Sequence, residues 1–262
     1  MKVFVAGATG VVGRRLVPML VAAGHEVWGT TRRAGRAEAI AGAGARPVVA
    51  DVFDAASLAE AVKTAAPDAV VHQLTDLRGE DFAANGRLRV EGTRNLVDAA
   101  RAAGTTTMVA QSIAWLYAAG PGPAVETDPL DPRLRGYDGV AALEEAVAEM
   151  PRGVVLRYGL LYGPGTWYAP DGVIAERLRS GAYAPPASWG SFVHVDDAAA
   201  AAMAALDWPA GPVNIVDDSP TTDWPRAFGG TPQVGTPSGR PISNAKAETL
   251  GWHPAHPRLP LP

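Results

Sequence analysis

Seven residues near the amino end, Gly7-Ala8-Thr9-Gly10-Val11-Val12-Gly13, constrain the fold more than any other part of the chain. A short apolar run at 3–6 precedes them and reads as a buried strand. An apolar-periodic stretch at 11–23 follows and reads as a helix closed by Gly24, with Pro18 an irregularity inside it. Strand, glycine turn and helix in that order make a phosphate cradle. Gly7 permits the tight turn, Gly10 lets backbone approach a pyrophosphate, and Gly13 lets the helix pack closely on the sheet. The helix start adds free N–H groups and a favourable dipole.

The same alternation continues. Strands are expected at 26–30, 47–50, 69–73, 107–110, 154–157, 192–195 and 213–216. Helices are expected at 56–65 (with Asp54 as N-cap), 89–103 (closed by Gly104), 141–149, 174–179, 196–206 and 244–250. Residues 253–262 are proline-rich and expected to be extended. Buried strands joined by helices predict an α/β fold, a doubly wound parallel sheet of Rossmann type with a small carboxy-terminal substrate lobe. The expected division is a dinucleotide-binding domain of 1–165 with 191–217, and a lobe of 166–190 with 218–262.

Composition narrows the chemistry. The 262 residues contain no cysteine, which removes disulfides, thiolate catalysis and cysteine–zinc sites. A net charge of −4 offers no basic field for nucleic acid. The start lacks the order of a signal peptide and no apolar run suits a bilayer, so a cytoplasmic protein with no membrane partner is expected. No metal site is expected. Asp196 and Asp197 read as helix-start acids, Asp217 and Asp218 as turn formers, and His72 and His194 as packing histidines.

The expected cofactor is NADP(H). The second strand ends Gly29-Thr30-Thr31-Arg32-Arg33, with no acid between Trp28 and Arg36. An acid there holds the ribose 2′-hydroxyl of NAD, whereas Arg32 and Arg33 can pair with a 2′-phosphate.

These segments together resemble the extended short-chain dehydrogenase/reductases, the epimerase/dehydratase-like group. The resemblance rests on GATGVVG at 7–13, Asp51-Val52, VVHQLT at 70–75, VEGTRNLVDAARAAG at 90–104, LRYGLLYGPG at 156–165, SFVHVDDAAAA at 191–201 and SNAKAETLGWHP at 243–254. It implies that Thr9, Val11, Val12, Asp51, Val52, Gln73, Leu74, Thr75, Gln111, Tyr158 and Gly159 line the cofactor. It also implies a homodimer through helices 89–103 and 141–149.

The departures bear on mechanism. That family works with a Ser, a Tyr and a Lys. Here the tyrosine is Tyr137, but the lysine position is Ala141 and the serine falls on Ile113, with Ser112 one residue early. Arg89 stands where the family has an asparagine. The only lysines are Lys2, Lys63 and Lys246. Tyr137, the catalytic candidate, is then expected to stay a protonated phenol, a poor base that can still donate a proton. Reduction is favoured over the base-requiring oxidation that opens epimerisation. The expected activity is NADPH-dependent reduction of a carbonyl on a small aromatic, polyketide-type molecule, with the proton from Tyr137, water or the substrate. Ser112, Ile113, Trp115, Trp167, Tyr168 and Trp189 are the expected substrate contacts, an aromatic wall for a flat ligand. The pattern is similar to atypical ketoreductases of antibiotic pathways, those of angucyclinones among them. Two alternatives stay open: an NADP(H)-binding sensor or scaffold without catalysis, and a sugar epimerase or dehydratase with relocated catalytic groups.

Overall fold

The computed structural model describes residues 1–76, 80–231 and 233–261; Pro262, the last residue of the expected extended segment, lies outside them. In chain order the elements are β1 (Lys2–Ala6), α1 (Gly13–Ala22), β2 (Glu26–Thr31), α2 (Ala37–Gly42), β3 (Arg46–Val49), α3 (Ala55–Ala65), β4 (Ala69–His72), α4 (Phe82–Arg87), α5 (Thr93–Ala102), β5 (Thr107–Ile113), α6 (Tyr137–Ala148), β6 (Arg152–Tyr158), β7 (Leu160–Tyr162), α7 (Val173–Ser180), β8 (Phe192–His194), α8 (Val195–Ala204), β9 (Gly211–Ile215), α9 (Trp224–Ala227) and α10 (Ala245–Thr249).

Seven strands form one sheet in the order β3-β2-β1-β4-β5-β6-β9, and β7 pairs with β8 in parallel. The pairs β1–β2, β1–β4, β2–β3 and β4–β5 are parallel. The strand order reverses between β1 and β4. In a doubly wound sheet that reversal opens a crevice beyond the strand ends, where ligands bind. The expected α/β Rossmann class is the observed one.

The chain forms two compact units. The first comprises residues 1–112, 135–156 and 202–212; the second comprises 113–134, 157–201 and 213–262. In the first unit, Phe4, Val70 and Met108 of the strands bury against Leu58 and Val62 of α3, Leu96 of α5 and Leu143 of α6. Full burial of each such side chain contributes roughly 1.5–3 kcal/mol. In the second unit, Tyr162, Ile174, Leu178, Phe192, Trp224 and Phe228 form one cluster, and Ala114, Tyr117, Ala124, Val216 and Ile242 another.

Local signals set several boundaries. The Asp54 carboxylate accepts the Ser57 N–H at 3.0 Å and starts α3, as its sequence position predicts. Pro18 sits on the exposed face of α1, and the helix runs through it. Several expected bounds shift: the helix expected at 141–149 begins at Tyr137, and the strand expected at 107–110 runs to Ile113. Val11 and Val12 form a turn, and α1 begins at Gly13. The expected helix at 89–103 begins earlier and contains a π-helical turn, Leu88–Gly92, that joins α4 to α5. No helix among the described residues is long and apolar enough to cross a membrane.

Candidate active site

The glycine loop spans the end of β1 and the start of α1. Gly7 has φ +92°, and a Cβ there would come within 2.8 Å of the Gln73 carbonyl oxygen. Its N–H donates to Thr30 Oγ1 at 3.2 Å. Gly10 is exposed, and its N–H donates to the Gly7 carbonyl at 2.9 Å. A Cβ on Gly13 would overlap that same Gly7 carbonyl oxygen. The third glycine therefore protects the loop's own backbone, a tighter reason than general helix–sheet packing. Thr9 and Val11 are half-buried, and Val12 is buried beneath the loop. No acid occupies the first turn of α1, which leaves its amino end open to an anion. A cradle that side chains would fill, at the sheet's switch point, fits a dinucleotide pyrophosphate.

Beyond β2, Arg32 and Arg33 are both exposed. Arg32 Nη2 pairs with Asp76 Oδ2 at 3.1 Å, so an acid absent from the strand arrives from the segment after β4. The Arg33 guanidinium has no ion-pair partner among the described residues; its backbone N–H donates to Thr31 Oγ1. Asp51 is exposed and caps the Phe53 N–H at 3.0 Å, and Val52 is buried, its carbonyl accepting from Asn95 Nδ2. Gln73 is buried, Leu74 and Gln111 are half-buried, and Thr75 is exposed. The loop, Arg32, Arg33, Asp51, Val52, Gln73, Leu74, Thr75 and Gln111 all belong to the first unit.

The first unit also holds Tyr137, the catalytic candidate expected from the sequence, and Ser112. Tyr137 is the first residue of α6 and half-buried. Ala141 and Glu144 follow on the same helical face, at i+4 and i+7. Ser112 is fully buried, and its hydroxyl donates to Glu144 Oε1 at 2.8 Å. His72 is fully buried between Thr93 Oγ1, 3.0 Å from its Nε2, and the Leu74 N–H, which its Nδ1 accepts. Burial and the nearby Arg89 cation push its pKa down to about 4, so it is neutral near pH 7. Arg89, in the π turn, is itself nine-tenths buried.

In the second unit, Ile113 is 7% exposed. Tyr158 is buried with its hydroxyl donating to the Ala198 carbonyl at 3.0 Å, and the buried Gly159 donates its N–H to the Ile215 carbonyl. Trp115 and Trp189 are exposed, at 47% and 39%. Trp167 packs on the aromatic cluster, and the Tyr168 ring meets Phe192, Trp224 and Phe228 at centroid distances of 5.3, 6.0 and 5.4 Å.

Sequence reasoning missed a buried network in this unit. Arg157 donates to the Tyr117 hydroxyl at 2.8 Å, Tyr117 donates to Asn214 Oδ1 at 2.7 Å, and the Asn214 N–H donates to Glu126 at 2.8 Å. His194 and His256 stack at 3.8 Å, and Asp197 accepts from the His256 backbone. Asp217 caps Ser219, as expected of a turn former, but is 2% exposed with Oδ2 unpaired. Burial raises its pKa to about 7.

Residues 3–216 match the NAD dependent epimerase/dehydratase family. The chain is 43% identical to a protein of Streptomyces sp, 3-diazoavenalumate denitrifying reductase, across 98% of this chain and 97% of that one. It is similar in structure to the UDP-glucose 4-epimerase of Thermus thermophilus in complex with NAD, with TM-score 0.78, 26% identity and coverage of 97% and 94% of the two chains. The enzyme WbmG of Bordetella bronchiseptica in complex with NAD and UDP shares the fold, with TM-score 0.78, 23% identity and coverage of 97% and 89%. A nucleotide-dependent reductase is the activity these relationships support. By its glycine cradle, its strand order and these matches, the chain belongs to the NAD dependent epimerase/dehydratase family.

Proposed function

We propose that this protein is an NADPH-dependent reductase that removes the diazo group from an aromatic acid. The observation that carries the reading is the state of the proton-transfer positions. Ala141 stands at the lysine position and Ile113 at the serine position, and the neighbouring Ser112 hydroxyl is spent on Glu144. When bound, NADPH supplies a hydride to the substrate carbon. An aryl diazonium carbon that accepts a hydride and releases dinitrogen takes up no proton: Ar–N2+ plus hydride gives Ar–H plus N2. A carbonyl reduced the same way needs a proton on oxygen and gains from a donor that polarises it. A site stripped of serine and lysine suits the first reaction better. The 43% identical reductase, named for a diazo substrate and for denitrification, supports the choice. NADPH is preferred because the Arg33 guanidinium, with no ion-pair partner among the described residues, follows the second strand, where an arginine favours a 2′-phosphate.

The remaining chemistry belongs to the chain. The glycine loop and α1 hold the pyrophosphate, and Thr30 fixes the Gly7 amide. Neutral His72 keeps the loop after β4 in place through the Leu74 N–H. A second reading, ketone reduction, is favoured by one observation: Tyr137 keeps the family's tyrosine position, half-exposed at the start of α6. NADPH deuterated at C4 decides between them. Deuterium on an aromatic ring carbon, with one dinitrogen released per NADPH, supports diazo removal. Deuterium on a carbinol carbon, with ketones consumed and diazo arenes untouched, supports the ketoreductase and overturns the first reading.

A further inference from the structure

Burying a guanidinium is costly unless its donors are used. Arg89 is 9% exposed and makes no hydrogen bond with any of the described residues. Its stem lies along α6, with Cβ and Cδ each 3.5 Å from where a Cβ on Gly139 would sit. Its Nη1 lies 3.8 Å from the corresponding point on Gly136, the residue that caps α6. The charge therefore sits beside the amino end of a twelve-residue helix that no side chain caps. That is the positive end of the helix dipole, the less favourable end for a cation. Burial holds the Arg89 pKa down to about 10, and the Glu144 carboxylate, which also accepts the Ser112 hydroxyl, favours the cation through its charge without a hydrogen bond to it. His72 is uncharged, Thr93 is engaged with His72, and Asp138 is exposed. Unspent donors and an open helix start converge next to Tyr137.

We infer that Arg89 and the amino end of α6 form the receptor for an oxyanion of the substrate, the carboxylate or phenolate of an aromatic acid. The planar fork of a guanidinium matches the oxygen pair of a carboxylate or converges two N–H groups on a phenolate oxygen, and helix-start N–H groups add to it. The family's cation is lost at position 141, and a different cation enters from the neighbouring helix for a different purpose. It grips the substrate rather than tuning a tyrosine. Arg89 remains charged at working pH and transfers no proton, which agrees with a reaction that consumes none. The assignment rests on the diazo-acid reading for its ligand class.

The test uses the full chain saturated with NADP+ and three probes: 4-hydroxycinnamate, its methyl ester and 4-methoxycinnamate. Binding is followed by calorimetry for the wild type, Arg89→Gln and Arg89→Lys. Arg89→Gln is expected to weaken 4-hydroxycinnamate about 30-fold, the scale of a lost charge-assisted pair, and Arg89→Lys to recover part of it. The ester failing on the wild type identifies the carboxylate as the recognised oxygen; the ether failing identifies the phenolate. NADPH affinity should change by less than about 3-fold. Unchanged probe binding in Arg89→Gln, a parallel loss of NADPH affinity, or no probe binding to the wild type at millimolar concentration overturns the assignment. If Arg89→Gln does not fold, Arg89→Lys decides through the acid-to-ester ratio where the wild type recognises the carboxylate, or the phenol-to-ether ratio where it recognises the phenolate, since a lost fork lowers that ratio and a structural role leaves it unchanged. No dinitrogen release by the wild type, with probe binding still dependent on Arg89, removes the diazo reading alone.

Discussion

Two buried arginines, one in each unit, make an instructive pair. Arg157 in the second unit is 6% exposed, and its donors are spent on the Tyr117 hydroxyl and the Glu126 carbonyl. Arg89 in the first unit is buried almost as deeply, with no such bonds among the described residues. Burial alone does not separate a structural cation from a functional one; the state of its donors does. A spent guanidinium ties strands and loops together, and removing it takes a donor from the Tyr117 hydroxyl and from the Glu126 backbone carbonyl. One whose donors are unused among the described residues is, on the inference above, held for a group the fold does not contain.

The contrast predicts opposite phenotypes. Arg157→Met should destabilise the protein by about 3–5 kcal/mol, the usual consequence of breaking a buried charged network, with a matching fall in Tm. Arg89→Gln should leave Tm nearly unchanged by comparison; equal losses in the two variants would break the distinction.

Gly13→Ala should raise the Kd for NADPH about 100-fold or more, because its methyl group overlaps the Gly7 carbonyl and the loop must move. A binding titration measures this directly, and normal affinity in the variant would show that the overlap is relieved elsewhere.

The two units also respond to pH with opposite sign. His72 in the first unit stays neutral down to about 4, while the unfolded chain protonates near 6.5; stability is lost as pH falls through that window. Asp217 in the second unit stays protonated up to about 7, while the unfolded chain ionises near 3.8; stability is lost as pH rises through that window. Each effect is on the order of 3 kcal/mol, and they offset one another between pH 4 and 6.5. Thermal unfolding of Asp217→Asn should expose the His72 slope, with Tm rising from pH 4 to 6.5 more steeply than in the wild type. An unchanged profile would rule out Asp217 as the opposing group.

Smaller effects sharpen the cofactor and proton readings. Arg33→Ser should raise the KM for NADPH about 10-fold and leave that for NADH unchanged, and Arg32→Ser should do less because Asp76 already holds that side chain. Equal effects would mean the Arg32–Asp76 pair opens for the phosphate. Tyr137→Phe should change kcat by less than about 3-fold on a diazo arene, where no proton is consumed. A loss of 100-fold or more would restore the tyrosine to the mechanism and favour the ketone.

The parts legible in the sequence are those whose physics is local. The glycine loop, the Asp54 cap and the strand–helix alternation depend on residues within a few positions of one another. The Arg32–Asp76 pair, 44 residues apart, was not legible, nor was Tyr117–Asn214 at 97. No periodicity or motif brings such residues together; the sheet does. Tyr168 illustrates a different limit. Its place after a glycine turn suggested a ligand wall, yet its ring packs edge-on among Phe192, Trp224 and Phe228, an arrangement that composition alone does not distinguish from a pocket lining.

The π turn at Leu88–Gly92 has a consequence for how such a site arises. A π turn carries one residue more than the α-helical register needs. Downstream, Leu96, Val97 and Ala100 still face the core, so the surplus is absorbed within the turn. A chain acquires that geometry by a single inserted codon, and loses it by a single deletion that rotates the flanking helix by about 100° per residue. Among relatives, the gain or loss of this oxyanion grip would leave its trace as an in-frame triplet gap beside position 89, a lineage marker independent of any change in the catalytic residues.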